Sequence, residues 1–188
     1  MTRVAERSQL SPEEYLAWER QQERKHEYFD GEVYAMAGGS PRHNRLSNRV
    51  NTALENALGG RCHVFTSDQR VRSRVRRYVY PDVSVVCGPP SIEDDDVLAN
   101  PTIVVEVLSA TTEQYDRGLK WDGYQLIPSL TDYVLVSQDR ARIEHFGRTT
   151  EGRWIYTSAG VGDKVVLTGG TVLAVDPIFA GVLELPGD

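Results

Sequence analysis

Ile103-Val104-Val105-Glu106-Val107-Leu108 is the stretch from which the fold is read. Five aliphatic residues in six, four of the six being β-branched, describe a strand covered on both faces at the centre of a sheet. One acid interrupts the run. Strand alternation sets Glu106 on the same side as Val104 and Leu108, both apolar, so its carboxylate points into the protein. A buried carboxylate needs a cation, a metal ion or a shared proton, because leaving it unpaired is costly. A strand-edge position facing water, or a structural ion pair, is the plainer alternative.

Working outward from that strand, Thr111 or Thr112 caps a helix of roughly Glu113 to Ile127 that Pro128 ends, and Tyr133-Val134-Leu135-Val136 is the next buried strand. Ile143-Glu144-His145-Phe146 pairs naturally with it, and the remainder reads as a β-meander with a Gly169-Gly170 turn. Upstream, His63 to Val71 and Arg77 to Cys87 read as two strands of a hairpin, and Ser91 to Asn100, with its acidic run Glu93 to Asp96, reads as a solvated loop. Leu10-Ser11-Pro12-Glu13-Glu14 starts a helix expected to run to about Glu27, with Ser11 and Glu14 forming a capping box. A short strand, Val33 to Ala37, follows. Gly38-Gly39-Ser40-Pro41 then caps a second helix, whose apolar positions Leu46, Val50, Leu54 and Leu58 keep a 3.6-residue period until Gly59-Gly60. The order predicts an α/β (α+β) fold: a mixed central β-sheet flanked by helices, with a C-terminal β-meander. One domain over residues 1–188 is expected, with residues 1–9 a flexible N-terminus.

Composition bounds the function. The chain has 188 residues, 40% of them hydrophobic, and no apolar run long enough to span a bilayer. Its N-terminus lacks the apolar stretch of a signal peptide. Cys62 and Cys87 are too few and too far apart to suggest a disulfide framework or a zinc site, so a cytoplasmic location is the default. A net charge of −6 weighs mildly against nucleic-acid binding, although a local basic patch suffices to hold a phosphate backbone.

Asp82 follows Pro81 where a second strand becomes wholly apolar. Alone it reads as a turn residue. Beside Glu106 on a neighbouring strand, it makes an oxygen-rich site for Mg²⁺ or Mn²⁺, to which the backbone carbonyl of Val107 can add a ligand. Asp116, Lys120 and Tyr124 are spaced by four and share one helical face, as a simple surface ion pair would also do. Arg70 to Arg77 holds five arginines; if the segment is extended, Arg72, Arg74 and Arg76 share a face with Arg70 and form either a phosphate clamp or a solvated hairpin tip.

These pieces together resemble a known family. Tyr80-Pro81-Asp82-Val83, Val105-Glu106-Val107-Leu108-Ser109, Asp116-Arg117-Gly118-Leu119-Lys120 and Tyr124 are similar to the Uma-type restriction endonuclease family, a branch of the PD-(D/E)xK superfamily. The resemblance extends to Glu27-Tyr28-Phe29-Asp30-Gly31-Glu32 and His43, and spans roughly residues 10 to 180. It implies a restriction endonuclease-like fold and Mg²⁺- or Mn²⁺-dependent cleavage of phosphodiester bonds, with DNA as the expected partner and a homodimer compatible with cutting two strands. Asp82 and Glu106 are then metal ligands, and Glu27 lines the site from the end of the first helix. His43 contacts phosphate or moves a proton, unless it merely caps its helix. One departure stands out: the superfamily lysine belongs two residues after the acid, where this chain has Leu108, and Lys120 is the candidate to replace it. A fold kept for nucleic-acid or protein binding is the rival expectation. A carboxylate-pair glycosidase has little support, since no aromatic sugar-stacking cluster is evident.

Overall fold

The structure is a computed structural model that describes residues 5–187. Helix α1 (Pro12–Glu19) begins as expected: Ser11 Oγ accepts from the Glu14 amide at 3.1 Å, and the Glu14 carboxylate accepts from the Ser11 amide at 2.7 Å. It stops well short of Glu27. The Glu19 carboxylate accepts from the backbone amide of His26 (2.8 Å) and contacts its ring Nδ1 (2.9 Å), and the chain continues as strand β1 (His26–Phe29), buried at all four residues. Tertiary burial overrides helical propensity here. Glu27 therefore sits in a strand, not at a helix end.

Asp30 and Gly31, both at positive φ, turn β1 into its antiparallel partner β2 (Glu32–Ala35). Helix α2 (Pro41–Leu58) runs between the expected caps, Ser40 and a left-handed Gly59, and buries Leu46, Val50, Leu54 and Leu58. The N-terminal segment expected to be flexible lies outside the described residues at 1–4. Beyond it, the Glu6 amide donates to Val33 O (2.8 Å) and the Val33 amide to Arg7 O (2.9 Å), so this segment is tied to β2.

The two strands expected between His63 and Cys87 are each broken in half. β3 (His63–Thr66) and β6 (Val83–Val86) pair in one sheet, while β4 (Arg70–Arg74) and β5 (Arg77–Val79) pair in another. The chain changes sheets at Ser67-Asp68 and again at Tyr80-Pro81-Asp82, where proline has no N–H to continue a ladder. The expected loop 91–100 instead holds β7 (Ile92–Glu93) and β8 (Val97–Leu98); Val97 and Leu98 are fully buried, and Arg20, Arg70 and Arg72 pair with the acidic run.

β9 (Ile103–Leu108) leads through α3 (Glu113–Tyr115), a π-helical turn (Asp116–Lys120) and α4 (Trp121–Tyr124) to β10 (Asp132–Ser137), which lies parallel to β9. β11 (Ile143–Arg148) and β12 (Trp154–Ala159) follow as the meander, with the hairpin β13 (Lys164–Val166)–β14 (Val172–Ala174) and a short α5 (Val175–Phe179) after it. The central mixed sheet has the order β12-β11-β10-β9-β6-β3, and a second sheet has the order β2-β1-β5-β4-β8-β7. All six β9 residues are buried. Ile103, Val105 and Val107 pack with α2 and α5; Val104 and Leu108 pack on the other face with Tyr124, Ile127 and Leu130.

The cysteine expectation is corrected. The register His63↔Val86 sets Cys62 opposite Cys87, and the two form a disulfide with their Cα atoms 4.2 Å apart. Separation along the chain says little about distance once two strands fold back on each other.

Candidate active site

Asp82 stands at the point where the chain enters the central sheet. The β6–β9 register pairs Val83 with Val105, and one residue further it sets Asp82 opposite Glu106, on the face that carries Val104 and Leu108. Asp82 Oδ2 accepts from the Val107 amide at 2.7 Å and lies 3.3 Å from His43 Nε2, which the first turn of α2 delivers. Glu106 Oε1 accepts from Lys120 Nζ (3.0 Å) and from the Tyr124 hydroxyl (2.8 Å). The same ammonium lies 3.1 Å from Glu27 Oε1 and 3.2 Å from Asp116 Oδ1. Glu27 also accepts from the Tyr80 amide at 3.4 Å, which links β1 to the chain just before Asp82.

A π turn carries Asp116 and Lys120. Such turns break the regular helical ladder and recur at functional sites. Here it brings Lys120 and, one turn on, Tyr124 to Glu106, with Asp116 against the ammonium. Leu108, at the superfamily's lysine position, packs into the core, so the ammonium beside Glu106 arrives from this turn instead.

These groups border one cleft of about 390 Å³, lined by Glu27, His43, Asp82, Glu106, Asp116 and Lys120 together with backbone and hydroxyl groups. Three carboxyl groups share one ammonium, and Asp82 stands beside them, so acids outnumber the single buried cation. Burial pushes the Glu106 carboxyl well above its ordinary range; Lys120 pulls it back, while Asp116, Asp82 and Glu27 add to the rise. Burial likewise raises Asp116. For Lys120, burial alone favours the neutral amine, but Glu106, Glu27 and Asp116 together outweigh it and hold the ammonium charged well above its ordinary value.

Among the described residues no group of three or more His, Cys, Asp or Glu side chains is placed to enclose a metal ion by itself. Asp82 and Glu106 nevertheless each spend one oxygen on hydrogen bonds and keep the other: no hydrogen bond from the described residues reaches Asp82 Oδ1 or Glu106 Oε2. Two hard oxygen donors beside an excess of negative charge fit a divalent ion that retains waters, as Mg²⁺ does.

The arginine segment is not part of the cleft. Arg70 is buried, with its guanidinium on Asp96 (3.0 Å) and the Tyr80 hydroxyl (2.6 Å); Arg72 pairs with Glu93 at 2.8 Å. An irregularity between Arg72 and Arg74 breaks the expected alternation. Arg74 and Arg76 are exposed, and Arg76 borders a separate surface hollow with Glu14 and Asp30. What the sequence did not single out is the hydroxyl cluster after β9, where Ser109 Oγ lies 3.0 Å from the hydroxyls of both Thr111 and Thr112 at the wall of the cleft. Its only signal was a polar Ser-Ala-Thr-Thr run at the end of the buried strand.

Comparison with known proteins places this architecture. The family model described as "Uma2: Putative restriction endonuclease" matches residues 12–186. Two proteins of Synechocystis sp., both named as uncharacterized, are similar to the chain: one is 43% identical over 176 residues, covering 92% of this chain and 93% of its own. The other is 35% identical over 158 residues, covering 82% and 89%. A crystal structure described as "a putative nuclease belonging to DUF820 from Anabaena variabilis" shares the fold, with a TM-score of 0.75 at 14% identity over 93% of this chain and 99% of that one. The chain belongs to the Uma2 restriction endonuclease family and has its restriction endonuclease-like fold.

Proposed function

We propose that the protein is an endonuclease that hydrolyses DNA phosphodiester bonds with Mg²⁺ or Mn²⁺ held by Asp82 and Glu106. The observation that carries this is the convergence of the two carboxylates, each with one uncommitted oxygen, on a cleft that also holds the Lys120 ammonium. The Val107 carbonyl is a third candidate donor. A bound divalent ion would polarise the scissile phosphate and acidify an attacking water.

The chain's own groups have distinct tasks in this reading. Lys120, kept charged by its carboxylates, stabilises negative charge that develops on the phosphoryl oxygens or orients the water. Glu27 and Asp116 position Lys120, and Tyr124 fixes the rotamer of Glu106 through its hydroxyl hydrogen bond. His43 orients Asp82 from one side, while the Val107 amide does so from the other.

A plasmid-nicking assay tests this directly. Wild type is expected to nick with Mg²⁺ or Mn²⁺, to stop with EDTA, and to lose activity in Asp82→Asn/Glu106→Gln. Equal nicking by wild type and the double variant sinks the proposal. Conversion to linear product in the same assay reads whether two sites act together, as a homodimer would. A second reading, a binding module without catalysis, is favoured by the tight pairing of Lys120 with three carboxylates. In that case nucleic-acid binding is indifferent to divalent ions and to both acidic substitutions.

A further inference from the structure

The protein is acidic overall, yet α2 is not. Its 18 residues carry Arg42, Arg45 and Arg49 against a single acid, Glu55. Outside α2, Arg20, Arg24, Arg70, Arg72, Arg77, Arg117 and Arg142 each sit on a carboxylate. Those of α2 do not. Arg42 donates to the backbone carbonyls of Leu185 (2.9 Å), Leu183 (3.0 Å) and Gln138 (3.1 Å), which leaves its charge uncancelled. No ion pair or hydrogen bond of the Arg45 or Arg49 side chain is recorded among the described residues, and Arg49 Nε is buried without a partner.

Arg45 and Arg49 are four apart and share a helical flank. Asn44, Arg45, Asn48 and Thr52 are exposed, opposite the buried Leu46, Val50 and Leu54. The helix backbone is not the attraction, since Ser40 Oγ already satisfies the His43 amide and Pro186 O the Arg42 amide. The side chains are. The helix starts at the cleft: Gly38, Gly39 and His43 line it. From Asn44 to Thr52 the polar face covers about 12 Å at 1.5 Å per residue. Along a duplex axis, where each strand carries one phosphate per about 3.4 Å, that length matches about three to four base-pair steps.

We propose that the Arg45/Arg49 face of α2 is the track on which the phosphate backbone of a nucleic-acid duplex lies as it enters the cleft. The proposal takes its partner from the nuclease reading above, but is measured by binding alone. Fluorescence anisotropy of a labelled duplex, as DNA and in parallel as RNA, is followed over a salt series in EDTA with the full chain. The variants are Arg45→Ala/Arg49→Ala, the charge-keeping Arg45→Lys/Arg49→Lys, the single exposed change Arg45→Glu, and Arg74→Ala/Arg76→Ala as the rival basic site.

Losing two phosphate contacts should lower the slope of log affinity against log salt by about 1.8, and weaken binding at 0.1 M salt by up to about 60-fold. Lysines should restore most of this, Arg45→Glu should weaken binding without lowering the melting temperature, and the hairpin variant should bind as wild type does. The proposal is overturned if the α2 variants keep the wild-type slope, if only the hairpin variant loses it, or if wild type binds neither duplex at low salt. The two readings fail separately. Binding that depends on α2 without any cleavage removes the catalytic reading alone; cleavage that survives the α2 substitutions with unchanged affinity removes this one alone.

Discussion

Replacing Lys120 with methionine removes the ammonium that Glu106, Glu27 and Asp116 share at 3.0, 3.1 and 3.2 Å. At an effective dielectric of about 20, each contact is worth about 5 kcal/mol gross, before desolvation of the ammonium and repulsion among the carboxylates are set against it. Removing one partner from a buried ion pair costs about 3–5 kcal/mol net, because the other charge is stranded. Here three are stranded, so Lys120→Met should lose at least that much at pH 7. The stranded groups recover by taking up protons. The folded pKa values of Glu106 and Asp116, already raised by burial, rise further without the cation, and a raised folded pKa gives stability that is present below the unfolded value and lost as pH rises. The deficit should therefore shrink as pH falls toward the ordinary carboxylate range near about 4, and grow toward neutrality. Urea unfolding of wild type and variant between mildly acidic and neutral pH reads both effects. Adding Glu106→Gln should restore part of the loss, since one stranded charge is gone. A Lys120→Met protein as stable as wild type at pH 7, with no pH-dependent gap, would refute the charge balance drawn for this cluster.

Three further outcomes follow from the same physics. Glu106→Gln alone should leave the metal-free protein about as stable as wild type or more so, since Glu27 and Asp116 still balance Lys120; a large loss in thermal melting counts against that balance. Reducing the Cys62–Cys87 bond, or replacing both residues with serine, releases a loop with a sequence separation of 25 and should cost about 3 kcal/mol in denaturant unfolding, with an unchanged midpoint as the contrary result. Asp132→Asn weakens a buried cluster in which Asp132 Oδ1 meets His145 Nε2 (2.7 Å) and accepts from the Thr168 amide (2.7 Å). Burial opposes the Asp132 charge, but bonds from His145, Thr131 and Thr168 outweigh it and hold the carboxyl below its ordinary range. That stability is present above the unfolded pKa and is lost as pH falls through the folded one, so the variant's deficit of about 1–3 kcal/mol at pH 7 should vanish in acid. A deficit that persists there rejects the assignment.

Much of this fold could be read from residue order because its signals are local or periodic. The capping box at Ser11 and Glu14, the caps of α2 and its apolar stripe, and the doubly covered β9 depend on neighbours within a turn or on alternation. Glu106 was legible for the same reason, since an acid with Val104 and Leu108 on its own side must be buried with a partner. What escaped depends on long-range pairing. The first helix ended early because Glu19 caps the backbone of β1 and β1 finds a buried sheet position, which no local propensity records. The arginine segment looked like one face, yet its partners Asp96 and Glu93 come from the β7–β8 hairpin formed inside an apparent loop. Cys62 meets Cys87 only through the β3–β6 register. The identity of Lys120 as the cation at Glu106 lies between these cases. Its spacing from Asp116 and Tyr124 set a common face in advance, but only the packing of that helical segment over β9 decided that the face meets Glu106. Local periodicity can say which way a side chain points; what it points at is set by the sum of weak, distant contacts that fold one segment onto another.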